Sequence, residues 1–142
     1  MIYLDTSVLV AYYCPEPISL RAESIIRGKR PVFVSDLTEV EAMSAIAKKV
    51  RIGELDAQHA MAVRDHLTAH LNEGIYRRTV LGAHHVLRAR EILSTFTTPL
   101  RTLDALHLAI AASEKLRLIT ADETFAQTAK RFSVKTTYIS AG

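Results

Sequence analysis

Residues 1–13 read MIYLDTSVLVAYY: a short apolar run ends at Asp5, and a second apolar segment begins soon after it. The interior of a buried strand does not accommodate an unpaired charge, so Asp5 either ends a strand or takes part in chemistry. Short apolar runs of the same kind recur along the chain, and longer segments of helical period separate them. This alternation predicts an α/β fold in which helices cover a parallel sheet. The predicted strands are residues 2–5, 32–35, 116–120 and 136–139, with a short extended piece at 76–80.

Helix boundaries follow from prolines, glycines and capping residues. Pro15 and Pro17 end the first short helix, and Gly28 and Gly53 follow the next two. Asp56 is a suitable N-cap for a long fourth helix. The predicted helices are residues 7–13, 18–27, 38–51, 57–71, 83–96, 103–115 and 123–132.

Length and composition predict a globular protein with one domain over residues 1–142. An apolar content of 49% fills a core, and 23% charged residues keep the surface hydrated. No stretch approaches the roughly 20 apolar residues of a membrane span, and no secretory signal is visible at the N-terminus. We therefore expect a cytoplasmic protein. The single cysteine, Cys14, predicts no intramolecular disulfide, and no spacing of Cys and His resembles a zinc site.

The net charge of +3 reflects basic residues that are scattered in small groups. Such groups fit contact with the phosphates of a nucleic acid, and they fit solvated helix faces equally well. The composition leaves both interpretations open. The groups are Arg27/Lys29/Arg30, Lys48/Lys49/Arg51, Arg77/Arg78, Arg88/Arg90 and Lys130/Arg131.

Four acids fall near one edge of the predicted sheet. Asp5 ends the first strand, and Asp122 lies just beyond the strand at 116–120. Asp104 and Glu41 lie in the first turns of two predicted helices. The carboxyl ends of parallel strands share an edge, where open α/β sheets place their ligand sites. The four carboxylates are therefore predicted to meet there.

Each acid also has a structural explanation. Thr38 and Glu41 have the spacing of a capping box, and Asp122 suits the N-cap of the last helix. Asp104 gains roughly 0.3–1 kcal/mol near a helix N-terminus, with Thr102 well placed as the cap. Taken together the acids are harder to explain, because like charges at close range repel unless cations or shared protons compensate. A bound metal ion resolves that conflict.

Mg²⁺ and Mn²⁺ are the ions that such a group favours, because they are hard cations that prefer carboxylate and water oxygens. Such an ion lowers the pKa of a bound water and neutralises charge on a phosphodiester. RNA is a natural substrate, since basic residues at the rim hold the phosphate backbone while the acids hold the metal.

Four blocks of the sequence, which together extend over nearly the whole chain, resemble a known family. The chain is similar to a PIN-domain ribonuclease of the VapC toxin type, found in toxin–antitoxin pairs. The resemblance rests on four blocks that come in the family's order and spacing: MIYLDTSVLVAYY, VSDLTEVEAMSAI, LRTLDALHLAIA and LITADETFAQTAKRF.

The resemblance implies a three-layer α/β/α sandwich around a parallel sheet, and a divalent-metal-dependent endoribonuclease with Mg²⁺ or Mn²⁺ as cofactor. Asp5, Glu41, Asp104 and Asp122 fall on the family's acidic positions and are expected to be metal ligands. The hydroxyl residues next to these acids are expected to orient a carboxylate or a metal-bound water; they are Thr6 and Thr120.

The resemblance also implies partners. An antitoxin protein is expected to cover apolar residues of the early helices and to insert an Arg toward the acids, where it would compete with metal. A homodimer and a toxin–antitoxin hetero-oligomer are expected as well. The apolar residues considered for the antitoxin are Val8, Leu9, Tyr12, Tyr13, Ile25, Ile26, Met43 and Ile46.

The acid of the third helix is the one assignment on which periodicity and resemblance differ. The apolar stripe that includes Val40 and Met43 lies closer to Glu39 than to Glu41, so periodicity alone selects Glu39. The block match selects Glu41, and we follow it.

Two other functions belong to different classes. Asp5 would be a phosphatase nucleophile if a second Asp followed at position 7, but that residue is Ser7. The acids would be plain helix caps if the chain were a non-catalytic α/β binding module. Among the histidines, His107 is expected to serve helix packing, and His84 and His85 are expected at the surface.

Overall fold

The computed structural model of the chain describes residues 1–141. Within these residues no helix has both the length and the apolar character needed to cross a membrane. Five strands alternate with seven helices, as the predicted pattern requires. The strands are β1 (Ile2–Leu4), β2 (Val32–Ser35), β3 (Arg77–Thr79), β4 (Arg117–Thr120) and β5 (Thr136–Tyr138). The helices are α1 (Thr6–Tyr13), α2 (Ser19–Ile26), α3 (Asp36–Arg51), α4 (Ala57–Asn72), α5 (Ala83–Leu93), α6 (Thr102–Ser113) and α7 (Glu123–Arg131).

The strands form one parallel sheet in the order β3-β2-β1-β4-β5. The first strand lies at its centre, with Tyr3 opposite Phe33 on one side and Leu118 on the other. Both faces of such a strand are covered, which explains why β1 contains only buried residues. The chain order reverses at β1, so the switch point of the sheet, where open α/β sheets place their ligand sites, lies between β1 and β4.

Helices cover the two faces of the sheet, which gives the predicted three-layer sandwich. Side chains of a strand alternate between faces, so Ile2 and Leu4 pack with α1 to α4 in one core cluster. Tyr3, which points to the other face, packs with α5 to α7 in a second cluster. The hydroxyl of Tyr3 is a polar group buried in this core, and its partners belong to the site described below.

Two predicted helix caps are wrong. Ser35 caps α3: its hydroxyl accepts from the backbone N–H of Thr38, so the Thr38–Glu41 capping box does not form. The chain reaches helical geometry one turn earlier than predicted, because Ser35 ends β2 and its hydroxyl takes the cap position. Thr102 is likewise inside α6 rather than at its cap, which is Arg101. The predicted caps Asp56 and Asp122 are confirmed by hydrogen bonds to His59 N–H and Phe125 N–H.

Candidate active site

The hydroxyl of Thr120 connects two of the acids at the carboxyl edge of the sheet. It donates to Asp5 Oδ2 at 2.8 Å and accepts from the backbone N–H of Asp122 at 3.1 Å. Asp5 directly follows β1 and Thr120 ends β4, and these two strands are neighbours. The register of the two central strands therefore brings Asp5 and Thr120 together.

Asp5 is partly buried just beyond the end of β1. Burial raises its pKa, while nearby His107 and the hydrogen bond from Thr120 oppose the rise and the charge of Glu41 adds to it. Ser7 is a second hydroxyl near Asp5, with its Oγ 3.4 Å from Oδ2. A carboxylate in this setting is short of favourable partners for its negative charge.

Asp104 joins the same electrostatic neighbourhood from the first turn of α6. Burial raises the pKa of its carboxyl, and the negative charges of Asp5 and Asp122 raise it further. Asp122 is more exposed, and its Oδ1 accepts from Phe125 N–H at 3.0 Å. Asp122 thus caps α7, and its negative charge also raises the pKa of Asp104.

Glu41, the fourth acid, is held by two side chains from other elements. Thr6 donates to Glu41 Oε1 at 3.0 Å, and His107 Nε2 makes a short contact with the same oxygen. Partial burial alone would raise the pKa of Glu41, but the hydrogen bond and charge of His107, with the bond from Thr6, lower it instead. Glu41 is therefore kept as a carboxylate and fixed in orientation.

A buried hydrogen-bond chain extends from His107 into the core. The hydroxyl of Tyr3 lies 2.6 Å from His107 Nδ1, 2.9 Å from Ser35 Oγ and 3.2 Å from Thr38 Oγ1. His107 Nε2–H donates to Glu41, and its Nδ1 pairs with the hydroxyl of Tyr3, which can donate or accept. The chain from Tyr3 through His107 to Glu41 fixes the carboxylate from behind.

Sequence reasoning missed the roles of Tyr3 and His107 in this network. We expected His107 to serve helix packing; it is buried, as packing requires, and it also contacts Glu41. The available signal was its position one turn after Asp104 on the same face of α6. Tyr3 gave a weaker signal, since a tyrosine in the middle of a central strand needs a buried partner for its hydroxyl.

The structure separates Glu39 from Glu41. Glu39 points to the edge strand β3, where Arg78 Nη2 and Nε donate to its two carboxylate oxygens at 2.6 and 2.9 Å. Glu41 lies with Thr6 and His107 instead. The apolar stripe of α3 favoured Glu39, but α3 begins at Asp36, which puts Glu39 in its first turn and Glu41 in its second, where Glu41 reaches Thr6 and His107.

The donor set fits a hard divalent cation. The four acids offer carboxylate oxygens and no thiolate, and the pKa of Asp104 is raised by two neighbouring carboxylates. Among residues 1–141, no Lys or Arg side chain forms an ion pair with Asp5, Glu41, Asp104 or Asp122. Within the part of the chain that the structure describes, His107 is the one ionisable side chain in ion-pair contact with these acids, through Glu41. The four acids therefore carry more negative charge than the neighbouring side chains neutralise, and a bound cation would balance it.

A second group of potential metal donors lies on another part of the chain, at His84, His85 and Glu114. His85 was expected at the surface, but it is buried and caps α5: the N–H of Gly82 donates to its Nδ1 at 2.9 Å. Its proton is then on Nε2, which donates to Glu114 at 2.8 Å. No lone pair of His85 is free for a metal, so His85 is a helix cap that also donates a hydrogen bond to Glu114.

Comparison with protein-family models matches residues 2–131 to the model described as PIN domain. A search of curated proteins finds no match. Solved structures with the same fold cover nearly the whole chain.

The crystal structure of FitAcB from Neisseria gonorrhoeae has 20% identity and a TM-score of 0.68, over 96% of each chain. VapBC2 from Rickettsia felis, bound to a DNA fragment from its promoter, has 16% identity and a TM-score of 0.70, over 99% of this chain and 100% of that chain. VapC20 from Mycobacterium tuberculosis, a sarcin–ricin loop cleaving toxin, has 19% identity and a TM-score of 0.70, over 89% of this chain and 94% of that chain. At these identities the likeness establishes the fold.

Proposed function

Because this chain belongs to the PIN-domain family, we propose that it is a cytoplasmic, single-domain, divalent-metal-dependent endoribonuclease and the toxin of a toxin–antitoxin pair. The observation that carries the proposal is the group of four acids at the carboxyl edge of the sheet. Asp5 and Asp122 are connected through Thr120, and Asp104 lies within electrostatic reach of both. A helix cap explains Asp122, but no cap explains Asp5, whose side chain caps no helix.

The proposed roles follow from how each acid is held. Asp5, Glu41 and Asp104 bind the principal ion, and Asp122 completes the site or binds a second ion or its waters. When bound, Mg²⁺ or Mn²⁺ supplies an activated water and neutralises charge on the phosphodiester. Thr120 keeps Asp5 pointing toward the other acids, and Thr6 does the same for Glu41.

The products follow from the nucleophile. If a water attacks the phosphorus in line, the 2′-hydroxyl of RNA takes no part in the displacement. The fragments then carry a 5′-phosphate and a 3′-hydroxyl. A 2′,3′-cyclic phosphate at the new end would instead require the ribose hydroxyl as nucleophile and would contradict this mechanism.

The first experiment is cleavage of total RNA by the isolated chain with Mg²⁺, with Mn²⁺ and with EDTA. We expect discrete fragments with either metal and none with EDTA. Mn²⁺ titration of the same protein by calorimetry distinguishes the other functions. A non-catalytic binding module would show neither RNA cleavage nor Mn²⁺ binding. An aspartyl phosphatase would instead be identified by a trapped phosphoryl group on Asp5.

An antitoxin is the proposed regulatory partner, because the fold resembles those of chains in a toxin–antitoxin complex and in a DNA-bound VapBC structure. Of the eight apolar residues considered for this contact, Val8, Leu9, Ile26 and Ile46 belong to the buried core. The others are only partly buried: Tyr12, Tyr13, Ile25 and Met43. Met43 lines a cavity of about 370 Å³ between α3 and α4 with Val40 and Leu71, and Val40 is 70% exposed. This cleft is the proposed antitoxin contact.

A second copy of the chain is the proposed partner of the α5–α6 face. Val86, Leu93 and Leu106 line a cavity of about 520 Å³ there, next to Phe96, whose side chain is 93% exposed. Monomeric proteins rarely leave such a contiguous apolar surface in water. A symmetric dimer buries two copies of it at once.

Phe96→Asp is expected to weaken the dimer. Two buried phenylalanines contribute about 1.5–3 kcal/mol each, so the dissociation constant should rise at least about 100-fold. Light scattering after size exclusion over a concentration series measures this. Leu20→Asp is the matched control, because Leu20 is 82% exposed on α2 and away from the α5–α6 face. A wild-type chain that stays monomeric, or equal effects of the two changes, would contradict the proposed interface.

A further inference from the structure

A basic cavity lies at the opposite edge of the sheet from the acids. Its volume is about 330 Å³, within the range of small-ligand sites. Four cationic side chains line it, and no acidic side chain does so among residues 1–141. The cations come from α5, from the turn after α6, from the start of β4 and from the turn before β5: Arg88, Lys115, Arg117 and Lys135.

Three of these cations have no partner for their charge. Within residues 1–141, the side chains of Arg88, Lys115 and Lys135 form no ion pair and no hydrogen bond. Arg117 makes one long contact, with Thr137 Oγ1 at 3.5 Å. A cation near a helix C-terminus stabilises the helix dipole, which explains Lys115 alone. Arg88 lies in the middle of α5, is exposed, and lines the cavity with the other three cations.

Apart from Ser133, the other side chains that line the cavity are apolar. Phe132 lines the cavity and is partly buried against the core of α5 to α7. Ala111, Leu116 and Val134 add further apolar surface. An aromatic ring beside several cations suits a ligand that has both a flat ring system and phosphates, because bases stack on aromatic faces while phosphates pair with Arg and Lys.

The backbone at two helix ends places residues of this cavity at a conformational cost. Lys115 and Ser133 adopt left-handed φ angles of 55° and 63°, each following a helix that ends in a Schellman motif. The same motif after α3 and α4 uses Gly53 and Gly74, which adopt such angles without steric cost. Both non-glycine residues in the motif line the cavity.

We propose that this cavity, formed by Arg88, Lys115, Arg117 and Lys135 around Phe132, binds a nucleotide, with its phosphates on the cations and its base on the phenyl ring. Free nucleotides and the nucleotides of an RNA strand offer the same chemistry. The site is distinct from the acids: Arg117 begins β4 and Thr120 ends it, which places them roughly 10 Å apart along the strand. The inference does not depend on the endoribonuclease proposal.

The test uses the full chain in EDTA, so that no RNA is cleaved. Titration with the fluorescent nucleotide mant-ATP is expected to saturate, and Arg88→Ala/Lys135→Ala is expected to weaken binding at least tenfold. The control is Lys29→Ala/Lys48→Ala, which removes the same charge from exposed positions outside the cavity and should leave affinity within twofold. An unlabelled single-stranded RNA hexamer that displaces mant-ATP identifies RNA as a source. If the hexamer does not displace mant-ATP, free nucleotides are the ligand of this site.

A second pair of variants separates charge from helix-end geometry. Lys115→Gly and Ser133→Gly both replace a left-handed residue by glycine, and both should raise the melting temperature. Only Lys115→Gly should weaken mant-ATP binding. The proposal is overturned if mant-ATP binding does not saturate, or if the two double variants weaken binding equally. It is also overturned if the amide chemical shifts that change on titration are those of Asp5 and Asp104 and not those of residues 111–117 and 132–135.

Discussion

Asp104→Asn is expected to abolish metal-dependent cleavage of RNA while making the metal-free protein more stable. The amide keeps the size of the side chain but loses one negative ligand for the proposed ion. Metal stabilisation of the transition state is worth several kcal/mol, so we expect a fall of roughly 10³-fold or more in the cleavage rate. The measurement is the initial rate on one RNA substrate at saturating Mg²⁺ and Mn²⁺.

The gain in stability follows from the electrostatics of the site. Burial and the charges of Asp5 and Asp122 raise the pKa of Asp104, so its ionised form is unfavourable in the folded state. Removing that charge should raise the melting temperature in EDTA by roughly 2–4 °C, the change expected per kcal/mol for a chain of this size. For wild type, stability in EDTA should rise as the pH falls through the raised pKa of the folded state, and the variant should lose part of that rise.

Asp65→Asn is the control for this prediction. Asp65 is an exposed acid on α4 that contacts Arg64 at 3.0 Å, and its replacement should change neither cleavage nor melting temperature appreciably. If Asp104→Asn cleaves normally, Asp104 is not a ligand. A loss of both activity and folding would instead assign it a structural role, and circular dichroism of each variant distinguishes the two outcomes.

The fold was predictable because its signal is local. Each strand is a short apolar run, and each helix has a boundary signal such as Gly53 or Asp56 within a few residues. The parallel arrangement then follows from the alternation of strands and helices, and it places the residues after β1 and β4 at one edge. The positions of Asp5 and Asp122 could therefore be predicted without knowing any contact.

The contacts of the site could not be predicted in the same way. Glu41 meets Thr6 and His107 only after three elements have packed, and periodicity within α3 favoured Glu39. The cap of α3 shifted from Thr38 to Ser35 for a related reason, since both hydroxyls satisfy local spacing rules and the end of β2 decides between them. Tertiary packing thus selects among locally equivalent polar residues.

His107→Ala is expected to have the largest effect on stability. It removes a fully buried imidazole that bonds Tyr3 and Glu41, and it leaves both without that partner. A cavity and the loss of one hydrogen bond at each of the two groups together predict a loss of about 3–5 kcal/mol in the free energy of unfolding. Urea unfolding measures this in EDTA, so that metal binding does not contribute.

His107→Ala should also weaken metal binding, because Glu41 is no longer fixed in orientation. Outer partners of metal ligands typically contribute 10–100-fold to affinity, and we expect a rise of that size in the dissociation constant for Mn²⁺. His107→Gln offers an amide that can donate to Glu41, and it should recover part of the affinity. Equal Mn²⁺ affinities for wild type and His107→Ala would show that the imidazole serves packing alone.

Tyr3→Phe tests whether the hydrogen-bond chain acts as a unit. The change removes only the hydroxyl that contacts His107 Nδ1, Ser35 and Thr38, and it should cost about 1–3 kcal/mol because those buried groups lose a partner. In the His107→Ala background, the hydroxyl of Tyr3 has already lost its contact with Nδ1. The double variant should therefore lose less free energy of unfolding than the sum of the two single variants, by about 0.5–3 kcal/mol. Losses that add within about 0.5 kcal/mol would mean that Tyr3 and His107 stabilise the fold independently, and that Glu41 depends on His107 and Thr6 without support from the core.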